Sequence, residues 1–457
     1  MIKSLLSSFL LCVGFVAWSQ SNEEAVIRQI FDHALRKGKS YEMLYDLSVN
    51  VGPRLSGSPG AAAAVEWSRQ VMTDFGFDTV WLQPLMVPHW VRGQKETGRI
   101  NSKRSGTVDI NVCALGGSIG TGPNGIAANV VEVKSFDELK ILGTKGVQGK
   151  IVFFNRPLDP TKINTFAAYG GAVDQRASGA SEAAKYGAVA ALVRSMGSNL
   201  EDYPHTGSMR YAPNVVKIPA LAISTKHAEQ LSRLLKEEPD LQIYLENHSV
   251  TLEDVPSYNV IGEIRGSQFP EEIIVVGGHL DSWDLAQGAH DDGAGCVQSI
   301  EVVRLFKQMG YRPKRTIRAV MFMNEENGLR GGLKYAEQAA LKKEKHIAAI
   351  ESDRGGFVPR GFTVPTDEKA KARVRSWKPL LEPYGLSDFS TEGGGADIGP
   401  LANQGVPLLG FLPDSQRYFN YHHTPEDTID KVDKRELELG SASMAALVYL
   451  IDQYGLK

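Results

Sequence analysis

The feature that most restricts this chain lies in its C-terminal half, where four short apolar runs each lead into a cluster of acidic and imidazole side chains. Residues 273–276 lead into Gly277-Gly278-His279-Leu280-Asp281-Ser282, followed shortly by Gly288-Ala289-His290-Asp291-Asp292-Gly293. Residues 316–323 run into Asn324-Glu325-Glu326-Asn327-Gly328, and residues 347–350 into Glu351-Ser352-Asp353. The fourth run, 406–412, is followed by Tyr421-His422-His423-Thr424-Pro425-Glu426-Asp427-Thr428. A continuous apolar run of this length reads as a strand buried on both faces. Helical stretches such as 294–307 alternate with these runs, which predicts an α/β fold with a mainly parallel mixed sheet flanked by helices. In such sheets ligands gather beyond the carboxyl ends of the strands, where all the polar clusters fall.

Taken singly, each cluster is ordinary. His-x-Asp is common as a surface pair, Asp-Asp-Gly as a turn or helix cap, and adjacent glutamates as a solvated face. Together they bring acids and imidazoles to one edge, an expensive arrangement unless cations lie between them. The donors are carboxylate and imidazole without thiolate, which suits a catalytic zinc pair better than a structural zinc. Two metals about 3.5–4 Å apart, sharing one carboxylate, can polarise a carbonyl and acidify a water. One of the paired glutamates can then carry the proton while its neighbour binds metal.

The rest of the chain sets the context. Lys3 and the apolar stretch 5–18, too short to span a bilayer, predict a signal peptide over residues 1–20 and export to periplasm or medium. That leaves Cys113 and Cys296, far apart and without metal-type spacing, expected as buried free thiols. Ser21 and Glu24 form a capping-box pattern ahead of an amphipathic helix, and a second helix is expected over 61–74 after the loop 51–60. Residues 98–125 lose helical periodicity and gain Gly and Ser, which suggests a domain crossing. Strands over 151–154, 188–193 and 218–223, with a helix over 226–236, predict a smaller inserted α+β domain. The expected division is 21–110 with 253–457 as the larger domain and 111–252 as the insert. A net charge of −3 gives no reason to expect nucleic acid or an anionic membrane as partner.

His279-Leu280-Asp281-Ser282-Trp283-Asp284, with the Asp291-Asp292 motif, resembles the signature of the co-catalytic di-zinc aminopeptidases and carboxypeptidases. The likeness continues through Glu325-Glu326, Glu351-Ser352-Asp353, Gly395-Ala396-Asp397-Ile398 and His422-His423-Thr424. It also covers the middle segment, which looks like a protease-associated domain. The resemblance implies a zinc-exopeptidase fold and two zinc ions per chain. Asp291 would bridge the ions, His279 and Asp353 would complete one site, and Glu326 and His423 the other. Glu325 would be the general base and acid, and Asp281 would accept a hydrogen bond from the His279 ring. The Asp291-Asp292 peptide is expected to be cis. His422, Asp397 and His205 are weaker candidates for substrate contact, whereas His290 and the Arg54 loop are expected to be structural. The implied activity is exopeptidase hydrolysis of dipeptides or short peptides, with a homodimer possible. An aminopeptidase acting on longer peptides, a glutaminyl cyclase and a non-catalytic receptor-like protein are the alternatives.

Overall fold

A computed structural model describes residues 22–456, so the signal-peptide segment and Ser21 of the capping box lie outside the described residues. Two sheets organise the chain. The first has seven strands in the order Thr79–Val91, Val250–Ile264, Arg315–Phe322, Phe269–His279, Lys345–Glu351, Leu408–Pro413 and Pro359–Phe362. The four strands Arg315–Phe322, Phe269–His279, Lys345–Glu351 and Leu408–Pro413 run parallel, and antiparallel strands close both sides. All four parallel runs expected from the sequence are therefore strands, and mutually parallel.

The apolar run 273–276 shows why this sheet is buried on both faces. Ile274 and Val276 enter the core built with the helices Pro59–Asp74, Ala294–Gln308 and Lys434–Tyr454. Ile273 and Val275 point the other way, to a core shared with Tyr335, Ala336 and Leu401. Side chains alternate along a strand, so only an uninterrupted apolar run can serve both layers.

Register then aligns the strand ends. His279 lies opposite Phe322, Gly277 opposite Glu351, and Glu351 opposite Gly410. The loops that follow these residues therefore start at nearly one level of the sheet.

The second sheet has eight strands drawn from 97 to 246, with parallel neighbours at its centre: Ile126–Val133, Ile151–Phe154, Ala190–Arg194 and Ala220–Ile223. It begins earlier than residue 111. Residues 98–125, expected as a crossing, instead supply the hairpin Thr97–Ser102/Gly106–Ile110 and the short strand Val112–Ala114. The chain passes between sheets at 92–96 and again at 247–249, joined to the long ribbon Thr79–Val91/Val250–Ile264. Its alternating, partly exposed pattern carries neither the dense apolar run nor the metal-type residues that mark the other strands.

The two layers share side chains. Phe357, Tyr418 and Phe419, from the C-terminal part of the chain, are buried with Met209 and Ile218 of the second layer. Arg92 donates to Asp284 of the first layer and to the Thr206 hydroxyl and Ala114 carbonyl of the second. Cys113 and Cys296 are both buried and free. Among the described residues no helix is long and apolar enough to cross a membrane.

Candidate metal centre and active site

His279 closes its strand with Nε2 3.2 Å from Asp291 Oδ1 and 3.5 Å from Asp353 Oδ1. The second Asp291 oxygen, Oδ2, lies 3.3 Å from His423 Nε2, which is itself 3.1 Å from Glu326 Oε2. Asp291 therefore faces His279 with one oxygen and His423 with the other, His422 Nε2 lying farther from that second oxygen at 3.8 Å, the placement required of a bridging carboxylate. Asp291 Oδ2 and Glu326 Oε1 are buried without any hydrogen-bond partner. Orphaned carboxylate oxygens facing imidazoles, with no Lys or Arg among the described residues ion-paired to them, fit bound metal and would be costly without it.

Backbone and buried polar groups hold these ligands in place. The His279 ring donates from Nδ1 to the backbone carbonyl of Asp281 at 2.9 Å, leaving Nε2 free to ligate. The Asp281 carboxylate has a different task from the one expected: its Oδ1 accepts the backbone N–H groups of Asn324 and Glu325, at 2.7 and 3.0 Å. It thus sets the turn that presents Glu325 and Glu326. Asp427 does the same for the bridging loop, accepting from His290 N and Asp291 N at 2.7 and 3.1 Å. Asp292 accepts from His279 N and Gly295 N, both at 3.0 Å, so backbone donors already occupy its oxygens. The Asp291-Asp292 peptide is cis, as expected.

Arg54 fastens the two loops from beneath. Fully buried, it donates to the carbonyls of Leu280, Gln287 and Gly288 at 2.6–2.8 Å. His290 packs its ring on Phe357 and Tyr421, with centroids 4.2 and 5.3 Å away, and is structural.

His423 needs help from the second layer. Its φ of +63° is unusual for a side-chain-bearing residue. Thr206 N–H donates to the His423 carbonyl at 2.9 Å, and the Thr206 carbonyl lies 3.3 Å from His423 Nδ1. His422 stacks on it at 3.5 Å between centroids.

Burial dominates the electrostatics. It lifts the Glu326 carboxyl to about 7, aided by the Asp291 charge and opposed by His423. Burial also raises the Glu325 carboxyl well above the usual range, with Asp353, Glu326 and Asp281 adding to it against the pull of His279. Burial works against charging His423, yet Glu326 and Asp291 together carry it up to about 10. For Asp291 burial is likewise outweighed, and the His279 and His423 rings hold it well below the usual range. These groups are tuned to one another, as in a site built around charge.

A cavity of about 300 Å³ opens over this cluster, lined by His279, Asp291, Glu325, Glu326, Asp353 and the His422-His423 pair. Two weaker candidates are absent from its wall. Asp397 is 1% exposed and sits behind the site near Glu351; His205 is buried in the second layer with Nε2 2.8 Å from Glu201 Oε2. Its position under the His422-His423 loop is supporting, not lining. Sequence reasoning missed the second layer's share of the wall: Phe166, Tyr169, Arg176, Ser208 and Arg210. The one available signal was Arg176 itself, an arginine on the buried face of an Ala- and Ser-rich helix, Asp174–Ala184.

The fold and this site define a metallopeptidase. Peptidase family M28 matches over residues 259–448, the stretch that supplies every expected metal ligand. Carboxypeptidase Q of Bos taurus is 37% identical over 415 residues, covering 91% of this chain and 85% of that protein. The crystal structure of a peptidase M28 precursor from Shewanella amazonensis SB2B superposes with a TM-score of 0.90 at 34% identity, over 95% of this chain and 97% of that one. A zinc aminopeptidase from Bacillus subtilis shares the fold at a TM-score of 0.66 and 22% identity, over 91% and 95% of the two chains. The chain belongs to peptidase family M28.

Proposed function

We propose that this protein is a di-zinc exopeptidase that hydrolyses dipeptides or very short peptides. The observation that carries the reading is the convergence of His279, Asp291, Glu326, Asp353 and His423 around one bridging carboxylate, with Glu325 in the wall of the same cavity. Asp291 would be shared, with His279 and Asp353 on one side and Glu326 and His423 on the other. When bound, the zinc pair would supply Lewis acidity to polarise the scissile carbonyl and lower the pKa of a water.

The chain's own residues do the rest. Asp281, by fixing the Asn324 and Glu325 N–H groups, aims Glu325 into the cavity. Glu325 takes the proton of the attacking water and returns it to the leaving amine. The aromatic walls Phe166, Tyr169, Tyr418 and Phe419 exclude bulk water and strengthen each charge interaction inside. A cavity of about 300 Å³ is at the lower end of the range for ligand pockets and supports a short substrate.

The similarity to carboxypeptidase Q over most of the chain favours this reading over an aminopeptidase of longer peptides. Five donors for a metal pair favour it over a one-zinc cyclase or a receptor that has lost ligands. The second layer is read as a protease-associated domain, and the N-terminal Lys3 with its apolar stretch supports export. Zinc-loaded protein should hydrolyse unblocked dipeptides, and chelated protein should not. Zinc-independent cleavage, or none in protein shown to hold zinc, would overturn the assignment.

A further inference from the structure

We propose that a second cavity, beside the metal site, receives an acidic side chain of the substrate and that Arg354 pairs with it, so that the enzyme favours dipeptides containing an acidic residue. This rests on the peptidase reading above and names the substrate class within it.

The second cavity has a volume of about 400 Å³ and shares a wall with the first, since Phe166 lines both. Arg354 lines the second and directly follows the expected ligand Asp353, so their Cα atoms stand about 3.8 Å apart. The chain then turns away through Gly355, φ +83°, where a Cβ would come within 2.7 Å of the Phe357 ring. Consecutive residues thus serve neighbouring spaces, Asp353 the metal cavity and Arg354 the one beside it.

Among the described residues, five charged side chains line the second cavity: Arg354, Arg360, Asp388, Glu392 and Asp414. Arg360 and Asp414 pair with each other at 2.8 Å, and Glu392 takes Lys371 at 2.6 Å. Asp388 folds back on its own loop, its Oδ1 accepting the backbone N–H and the hydroxyl of Ser390 at 3.0 and 2.6 Å. Arg354 alone of the five has neither a hydrogen bond nor an ion pair among the described residues. The carboxylates whose charge reaches it are engaged elsewhere: Asp353 lies 3.5 Å from His279 in the metal cluster, and Glu351 accepts from Ile398 N at 2.9 Å.

What Arg354 does touch is the face of Phe166, with its guanidinium carbon 4.5 Å from the ring centre. Phe166 is itself stacked on Tyr418 at 5.1 Å, which steadies the ring. Stacking uses the face of a guanidinium and leaves its N–H edge, the part that matches a carboxylate, aimed at no protein oxygen. The remaining wall suits a charge carried on methylenes, because Ala167, Leu412 and Pro413 offer an apolar surface beside the arginine. A glutamate side chain would bury its methylenes there and accept a bidentate bond from Arg354. Glutamine has the same shape and would leave the cation unpaired.

The zinc-loaded protein is assayed on Glu-Ala, Gln-Ala, Ala-Glu and Ala-Gln, all four with a free α-carboxylate. In one of the two pairs kcat/KM for the glutamate dipeptide should exceed that for its glutamine counterpart by about 10–100-fold, the size of a charge-assisted pair. The pair that shows the preference tells which substrate residue enters the cavity. Arg354→Gln should bring that ratio to within about three-fold of one, and Arg354→Lys should keep part of it. Because the ratio is read within each variant, a general fall in turnover does not disturb it. A wild-type ratio near one in both pairs, with good turnover, would overturn the proposal and leave the peptidase reading intact. A preference that survives Arg354→Gln would also overturn it, and would confine Arg354 to holding Phe166. Absence of turnover on all four dipeptides in zinc-loaded wild-type protein would sink the peptidase reading itself. Should Arg354→Gln not fold, the wild-type ratios and the lysine variant still decide.

Discussion

Two groups of buried carboxylates in this protein are handled differently. One group stands at the carboxyl ends of the parallel strands; the other, Glu301 and Glu438, lies between the helices Ala294–Gln308 and Lys434–Tyr454. Burial raises the acids in both. Glu438 is pushed up to about 7 by burial and by the Glu301 charge, much as Glu326 is by burial and the Asp291 charge. A raised carboxyl therefore does not by itself distinguish a working site from a structural one. The partners do. Glu301 receives both oxygens' worth of bonds from Arg304 at 2.6 Å and accepts from Lys39 N, while Glu438 accepts from Tyr41 N. The helical cluster thus carries its own cation. Among the described residues, Asp291, Glu326 and Asp353 at the strand ends are ion-paired only with imidazoles, beside an open cavity, an arrangement that suits a cation brought from outside the chain.

That contrast can be broken at four points, in descending order of effect. Asp291→Ala should reduce hydrolysis to background and drop bound zinc below one ion per chain, read by metal analysis of the purified protein. Zinc content near two would refute its bridging role. Glu325→Gln should keep both ions yet lower kcat by about 10²–10⁴-fold, which a steady-state assay on metal-replete protein measures. Full activity there would remove Glu325 as the proton carrier. Gly207→Ala pushes on the His423 ring from the second layer and should weaken zinc binding by about 10–100-fold in a chelator competition.

The smallest effect belongs to the helical cluster, where Glu438→Gln should leave turnover unchanged and alter only stability. Between the ordinary 4.5 and about 7, folded Glu438 keeps a proton that the unfolded chain has released. Its contribution therefore falls as pH rises through that window, and above it the wild-type protein is weakened by on the order of 3 kcal/mol. The glutamine variant should lack that slope and be the more stable protein above pH 7, as denaturant unfolding across pH would show. An unchanged slope would place the effect on other groups.

How far the sequence could be read depended on how each element is specified. The parallel strands were legible because burial on two faces demands an uninterrupted apolar run, and their ends because acids and imidazoles followed each run directly. The helix Ala294–Gln308 was placed to within a residue for the same reason. The ribbon Thr79–Val91/Val250–Ile264 was not read, since half-exposed strands that pair across more than 150 positions leave only a weak local pattern. Asp281 was correctly singled out but given the wrong partner: spacing puts it beside His279, whereas the backbone path decides that its carbonyl faces the ring and its carboxylate the Glu325 turn. Asp397 and His205 fell inside matching motifs, yet both are buried and neither lines the cavity.

The sequence by itself determined the sheet, the donor types and the edge at which they collect, because apolar periodicity and ligand chemistry are local properties of the chain. Only the tertiary structure decided that Arg54 and Asp427 pin the ligand loops, that Thr206 and Gly207 shape the His423 position, and that Arg176 of the second layer comes to line the metal cavity. Those outcomes depend on which carbonyls and carboxylates meet across long sequence separations, and no pattern of neighbouring residues records that.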